Sequence, residues 1–198
     1  MEVSVHIEPI QEAITVQNLI LRDLDREILL VHDRGEPGRK RPGYAMSGGS
    51  INGFTIESTI DQIFKFLPVY RIEFQDFYTV LETETGMGSL IFLTSIREGI
   101  EETGFLIRPV RVVLEEASNR IFASLISNAS HKVVVVQAEI VAGNMQKRSI
   151  ETDDCDWFPL SSLPRDTYRS HVERIKKVLV GRNIALAETE EELCHDKQ

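Results

Sequence analysis

Residues 97–105, REGIEETGF, place three glutamates close together and follow them with a glycine and an aromatic residue. On a helix, residues three and four apart lie on one face, so Glu98, Glu101 and Glu102 would present three carboxylates to one small patch. Like charges at this spacing repel each other, and burial increases the cost. Mg²⁺ or Mn²⁺ would offset the repulsion, because these ions prefer carboxylate oxygens. Arg97 could fix one carboxylate through a bidentate bond.

The helix that carries these glutamates is predicted to span residues 89–103. Ser89 is a residue type that commonly caps a helix N-terminus, and Gly104 follows the last turn, where a left-handed residue ends many helices. A helix face rich in glutamate is most often simply solvated. The residues around the glutamates are therefore needed to distinguish a solvated helix face from a metal site.

The segment 97–105 resembles the second half of the Nudix box. In both, an Arg-Glu pair is followed three residues later by Glu-Glu and then, after one spacer residue, by Gly and an apolar residue. The fit accepts Gly99 where the family usually has an aliphatic residue. Upstream, SGG at 47–49 is similar to the Pro-Gly-Gly that is common before the signature. Downstream, WFPL at 157–160 is similar to the family's closing strand. The resemblance covers roughly residues 16–180 and implies the Nudix fold, an α/β (α+β) sandwich with a mixed sheet between helices.

The first half of the box departs from the family pattern. The family has a Gly fourteen residues before the Arg of the Arg-Glu pair and a Glu eight residues before it, and these positions hold Thr83 and Ser89. If Gly49 is the box glycine, its distance of 48 residues from Arg97 leaves 34 extra residues inside the signature. We therefore expect an insertion of about residues 50–88 before the catalytic helix. Three of its glutamates could supply a replacement carboxylate: Glu57, Glu82 and Glu84.

The resemblance implies specific roles for residues of the helix. Glu98, Glu101 and Glu102 match metal-binding glutamates, Glu98 also matches a residue that orients or deprotonates the attacking water, and Arg97 belongs to the catalytic set. The implied reaction is metal-dependent hydrolysis within the diphosphate of a nucleoside diphosphate linked to another moiety. One alternative is a Nudix-like nucleotide-binding or regulatory module that has lost catalysis. Another is an unrelated acidic domain whose glutamates are scattered over the surface.

The loop over residues 33–53 combines glycines with a cluster of basic residues. On the resembled fold this loop borders the substrate cleft, so Arg39 and Arg41 are expected to bind a phosphate or sugar. Gly48 and Gly49, at the end of the loop, would permit a close approach of the backbone. The alternative is an exposed basic loop, to which Arg34 and Lys40 also belong.

Hydrophobic patterning predicts the remaining elements. Two strands joined by a tight turn are expected within 16–32, and a short helix over 56–67 ended by Pro68. The segment 69–85 is compatible with strand or helix. Strands are expected over 108–117, 123–129, 131–143 and 155–160, and a last helix over 165–180. The acidic run at 151–156 is expected to be a solvated turn, although some Nudix enzymes take their general base from a late loop.

Composition limits the class of protein. The 198 residues carry 31 acidic and 22 basic side chains, a net charge of −9, with 42% apolar residues. This supports one domain over 1–183, with the acidic tail 184–198 expected to be disordered. The absence of a long apolar stretch and of a signal-peptide pattern predicts a cytoplasmic protein with no membrane partner. The charge disfavours nucleic acid as partner. The resemblance implies a small-molecule nucleotide substrate, and apolar surface on the insertion and the N-terminal segment is compatible with a homodimer.

Overall fold

A computed structural model of the chain describes residues 13–22, 24, 26–35, 41–83, 90–118, 131–149 and 151–181. The elements within these residues are β1 (Ala13–Arg22), β2 (Glu27–Asp33), β3 (Gly43–Ala45), α1 (Ile56–Val69), α2 (Phe74–Thr83), α3 (Leu90–Glu98), a π-helical turn (Gly99–Thr103), β4 (Phe105–Ser118), β5 (His131–Gly143), β6 (Thr152–Pro159) and α4 (Arg169–Val180). None of the helices in the described ranges is long and apolar enough to cross a membrane.

The strands form one mixed sheet in the order β3-β2-β1-β5-β4, with β6 also paired to β2. β1 pairs with β5 in parallel over residues 13–20 and with β2 antiparallel at Leu21 and Arg22. All other pairings are antiparallel. The predicted strand pair within 16–32 is therefore confirmed, and β1 lies at the centre of the sheet.

Helices cover both faces of this sheet because successive strand residues point to opposite sides. Val135 of β5 packs with Ile175 and Leu179 of α4. Its neighbours Val134 and Val136 pack on the other side, against residues from the start of α3. The predicted sandwich of a mixed sheet between helices is confirmed.

The insertion forms two helices that pack on α3. α1 begins after Thr55, whose side-chain oxygen accepts a hydrogen bond from the Ser58 amide, and it continues to Val69, so Pro68 lies in the last turn instead of ending the helix at residue 67. The segment that could have been strand or helix contains α2. Phe77 of α2 is fully buried in the cluster that joins the insertion to α3, so tertiary packing overrides the strand preference of its aromatic residues.

Further boundaries differ from the sequence predictions. The acidic run over 151–156, expected to be a solvated turn, lies mostly in β6, because its residues pair with β2. Residues 43–45 were expected to be loop but form β3, because their backbone pairs with the edge of β2, an interaction that no local pattern reveals. The last helix begins at Arg169 and not at residue 165, because the Tyr168 amide donates to the Tyr44 carbonyl in an extended conformation that precedes the helix. The predicted strand at 123–129 and the tail at 184–198 lie outside the described residues.

Candidate functional site

The glutamate segment is helical as predicted, but its last turn is not an α-turn. α3 continues through the π-helical turn and ends at Gly104, which has a left-handed conformation with φ 78°. The predicted glycine cap is therefore confirmed, whereas the predicted N-cap, Ser89, lies outside the described residues. Single π-turns within helices occur frequently at functional sites.

The end of this helix is held by hydrogen bonds from its own glycine cap and from two other segments of the chain. A helix leaves its last carbonyls without intrahelical donors. Here each carbonyl of residues 100–103 accepts a hydrogen bond: Ile100 from the Gly104 amide (2.9 Å), Glu101 from the Tyr70 hydroxyl (3.0 Å), Glu102 from the Thr152 hydroxyl (3.4 Å) and Thr103 from the Gln146 amide (2.8 Å). The end of α1 and the segment from β5 into β6 therefore both hold the turn that carries the glutamates.

Gly99, which departs from the aliphatic residue usual in the resembled box, is explained by its surroundings. A Cβ built on Gly99 would lie 2.7 Å from both Cγ1 and Cδ1 of Ile107. Ile107 is fully buried. The apolar volume at this position is therefore supplied by β4 and not by the helix.

Replacing Gly99 by Ala is expected to destabilise the protein by about 1–3 kcal/mol, because the added methyl group overpacks this contact. In an Ile107→Ala background, which is itself destabilised, the same change should cost less by about 1 kcal/mol. Chemical denaturation of the four proteins in this double-mutant cycle measures the coupling. Strictly additive effects would contradict the packing explanation.

The three glutamates predicted to bind metal come together with unequal burial. Glu98 and Glu102 are 6% and 7% exposed, while Glu101 is half-buried. All three lie at the C-terminal end of the helix, where the helix dipole disfavours negative charge. The alternative of glutamates scattered over the surface is therefore wrong.

Burial dominates the electrostatics of this patch. Burial raises the pKa of Glu98 to about 7; the Arg97 guanidinium opposes the rise, and the Glu101 charge adds to it. Burial also raises the pKa of Glu102 well above its usual range, and the neighbouring Glu98 charge adds to the rise. Burial and the charge of Glu151 raise the pKa of Glu101. The ionised forms of these side chains are therefore costly, because burial removes the water that would solvate their charges.

Glu151 is a further member of the patch; the sequence analysis placed it in the acidic run 151–156, which it expected to be a solvated turn. Its charge raises the pKa of all three helix glutamates. Its amide donates to the Ser149 hydroxyl oxygen (3.1 Å), and its carbonyl accepts from the Arg34 amide (3.3 Å), so its backbone position is fixed. The acidic run before the closing strand was a signal for this residue, but only the path of the chain brings it to the helix.

The insertion glutamates are placed differently. Glu57 is exposed in the first turn of α1, where its own amide and the Thr55 side chain lower its pKa. Glu82 is exposed on α2. Glu84 lies outside the described residues. Of the described carboxylates beyond the helix, Glu151 is the one whose charge acts on all three helix glutamates.

The glycines at 48 and 49 lie directly against the two buried carboxylates. The Gly48 amide donates to Glu102 Oε2 at 2.8 Å. A Cβ on Gly49 would collide with the Glu98 carboxylate, and a Cβ on Gly48 would collide with the Val16 carbonyl. Both positions therefore need glycine for the close approach of the backbone that the sequence suggested.

A buried polar cluster holds this glycine segment in place. Asn18, fully buried in β1, donates through Nδ2 to Ser47 Oγ and to the Ser95 carbonyl, each at 3.1 Å. Ser95 Oγ of α3 donates back to Asn18 Oδ1 at 2.6 Å. The sequence analysis missed this cluster, although an asparagine within an apolar strand was a usable signal, because a buried amide needs partners.

Arg97 is 5% exposed and does not make the predicted bidentate bond. Its Nη2 donates to Glu98 Oε1 and contacts the Ser50 carbonyl at 3.5 Å, while Nη1 donates to Gln62 Oε1 at 3.1 Å. Its guanidinium carbon lies 4.2 Å from the centre of the Phe54 ring. The bidentate arrangement is lost because one nitrogen is directed to the insertion.

The basic loop is only partly described. Arg34 has a structural role, since its Nη2 donates to the carbonyls of Ser149 (3.0 Å) and Thr152 (3.1 Å). Arg41 is exposed, and its backbone carbonyl accepts a hydrogen bond from Tyr168. Arg39 and Lys40 lie outside the described residues. Substrate binding by Arg39 and Arg41 stays a prediction.

The glutamates of the patch offer carboxylate oxygens, which are the ligand type that a hard divalent cation prefers. A bound cation would also offset the repulsion between the ionised carboxylates. Within the described residues, no three His, Cys, Asp or Glu side chains are gathered closely enough to hold a metal ion. Oε1 of Glu98 is paired with Arg97 and Oε2 of Glu102 with the Gly48 amide. A bound cation would have to use the other oxygen of each carboxylate.

Comparisons by sequence identify no relatives: no family model matches the chain, and no curated protein matches it. Solved structures do match. A UDP-X diphosphatase aligns over 90% of this chain and 68% of its own with a TM-score of 0.54 and 17% identity. An ADP-ribose pyrophosphatase from Streptococcus suis aligns over 87% of this chain and 93% of its own, with a TM-score of 0.52 and 15% identity.

The NUDIX domain of Shewanella oneidensis NrtR, solved in complex with ADP ribose, also aligns with this chain. It covers 87% of this chain and 88% of its own, with a TM-score of 0.50 and 17% identity. At these identities the alignments establish a shared fold, and they agree with the fold that residues 97–105 predicted.

Proposed function

We propose that this chain, which has the Nudix fold, is a divalent-cation-dependent hydrolase that cleaves the diphosphate of a nucleoside diphosphate linked to another moiety. The observation that carries the proposal is the pair of buried carboxylates, Glu98 and Glu102, at the C-terminal end of a helix. With Glu101 and Glu151 they form a group of acidic side chains whose ionised forms burial and the helix dipole both oppose. A bound cation is the simplest compensation.

Each residue of the patch has a role in this proposal. Glu98, Glu101 and Glu102 would hold Mg²⁺ or Mn²⁺, which on binding would neutralise charge on the phosphates and lower the pKa of a bound water. The resemblance also implies that Glu98 orients or deprotonates the attacking water. The Arg97 guanidinium, which donates to Glu98 Oε1, would fix the orientation of that carboxylate.

Glu151 is assigned to the same site as a further carboxylate that orients or deprotonates water. Its replacement by Gln is expected to lower kcat by about tenfold to a hundredfold, the range typical of a group that orients metal ligands; a general base would cost about 10²–10⁴-fold. Steady-state kinetics with saturating Mg²⁺ measures the effect. Glu139→Gln, exposed on β5 and paired with Arg108, is the matched control and should retain full activity. Equal activity of both variants would remove Glu151 from the site.

The function itself is tested by release of phosphate or nucleoside monophosphate from a panel of nucleotide sugars, dinucleoside diphosphates and nucleoside triphosphates, with Mg²⁺, Mn²⁺ or EDTA. Turnover that requires the metal is the expected result, and it would also name the substrate class. A cytoplasmic setting, a homodimer and a single domain over 1–183 remain predictions from the sequence.

A second function, a nucleotide-binding or regulatory module without catalysis, is favoured by one observation. Among the described residues the carboxylates are not gathered into a finished metal site, and the signature lacks its first glutamate. Binding of a nucleoside diphosphate derivative by calorimetry, with no turnover in Mg²⁺ or Mn²⁺, would select this function over the hydrolase.

A further inference from the structure

The buried guanidinium of Arg97 depends on the insertion for its partners. Of the groups around it, Gln62 lies on α1 and Phe54 just before that helix. Ser50 contributes its carbonyl from the start of the same segment. All three come from the residues that separate Gly49 from α3, the part of the chain that interrupts the resembled signature.

Gln62 is the side chain that accepts a hydrogen bond from Nη1 of Arg97. Arginine has five donors, remains charged, and is costly to bury without acceptors. Its Nε already lacks a hydrogen-bond partner among the described residues. Loss of the Gln62 carbonyl oxygen would leave a second nitrogen unsatisfied, and the guanidinium would then move away from Glu98 towards another acceptor or solvent.

α1 is attached firmly enough to act as such a support. Ile63, next to Gln62, is fully buried with Leu67 in the cluster that contains Ile96 and Ile100. At the end of α1, the Tyr70 hydroxyl donates to a carbonyl of the π-helical turn. The helix that carries Gln62 is therefore packed along the whole segment that carries the glutamates.

We infer that Gln62 is a positioning residue for the reaction: it holds Arg97 in place, and Arg97 in turn fixes the orientation of the Glu98 carboxylate. Through Gln62, the insertion thereby helps to position the Glu98 carboxylate. This inference rests on the proposed hydrolase function, but it concerns the geometry of the carboxylates and can be measured without turnover.

The test compares two substitutions of Gln62 with a matched control. Gln62→Met keeps the length of the side chain and removes the acceptor. It is expected to lower kcat by about tenfold with KM changed less than twofold, and to weaken Mn²⁺ binding, measured by electron paramagnetic resonance, by about tenfold. Gln62→Glu retains an acceptor and should recover kcat to within about threefold of the wild type. Gln75→Met, exposed on α2, should match the wild type.

Three results would overturn the inference. The first is a Gln62→Met protein with wild-type kcat and Mn²⁺ affinity, and the second is a Gln62→Glu protein whose kcat does not recover. The third is a raised KM at unchanged kcat in Gln62→Met, which would mean that Gln62 contacts the substrate directly. If the wild type turns over nothing, the proposed function fails, while the Mn²⁺ affinities of the wild type and Gln62→Met still decide the role of Gln62. If Gln62→Met does not fold, Gln62→Asn, with an amide one methylene shorter, takes its place.

Discussion

Replacing Glu102 by Gln is expected to lower metal-dependent turnover by about 10²–10³-fold, the loss typical of removing one preorganised electrostatic group from an active site. The change removes one negative charge and one hard oxygen ligand from the patch. The protein should stay folded, because the amide oxygen of Gln can still accept the hydrogen bond from Gly48. Burial already favours the neutral form of this side chain, since it raises the pKa of Glu102.

Steady-state kinetics and Mn²⁺ binding measure this loss, and circular dichroism checks the fold. Glu139→Gln is the matched control, because Glu139 is exposed on β5 and pairs with Arg108 away from the helix. Unchanged turnover in Glu102→Gln would overturn the assignment of the site. Equal losses in both variants would point to a general effect of charge on the protein.

Without divalent cations, the free energy of unfolding is expected to fall as the pH rises from about 5 to 8. Folding raises the pKa of Glu98 from 4.5 to about 7, so the folded protein binds this proton more tightly than the unfolded chain does. The stabilising contribution is complete below pH 4.5 and is lost as the pH passes through 7. This difference corresponds to about 3 kcal/mol, or roughly 10 °C in Tm for a chain of this size.

Mg²⁺ should restore the lost stability at pH 8, because a cation binds the ionised carboxylates of the folded protein. Thermal unfolding across this pH range, in EDTA and in Mg²⁺, gives both effects. The comparison protein is Glu98→Gln, which has no proton to lose at this position and should show a smaller dependence on pH, the remaining slope coming from Glu101 and Glu102, whose pKa values are also raised. The same slope in Glu98→Gln and the wild type would contradict the pKa that burial gives Glu98.

Much of the fold could be predicted because local pattern encodes which face of an element is buried. The spacing of residues 97–105 predicted the helix that carries the glutamates, and Gly104 marked its end. Alternation of apolar residues predicted β1, β2 and β5. The resemblance of residues 97–105 to the Nudix box then implied the Nudix sandwich, although overall sequence identity to the matching solved structures is low.

The detailed geometry of the site was decided by contacts between residues far apart in the chain. Glu151 reaches the helix glutamates only because β6 pairs with β2 and carries the preceding loop to that end of the sheet. Gln62 reaches Arg97 only because α1 packs on α3. The acidic run marked Glu151 as a candidate without distinguishing it from its acidic neighbours, and no local pattern distinguishes Gln62.

The sequence by itself therefore determined most of the secondary elements, the fold and the residue types of the candidate site, but neither β3 nor the helical state of α2. Only the tertiary structure decided which carboxylates are buried, where the helix takes its π-turn and what holds Arg97. The physical reason is the separation in sequence of the residues that interact. Hydrophobic periodicity reports on residues within one helix or strand. The burial of a side chain and the partner of a charged group depend on segments about 30 to 60 residues away, such as those that carry Gln62 and Gly48.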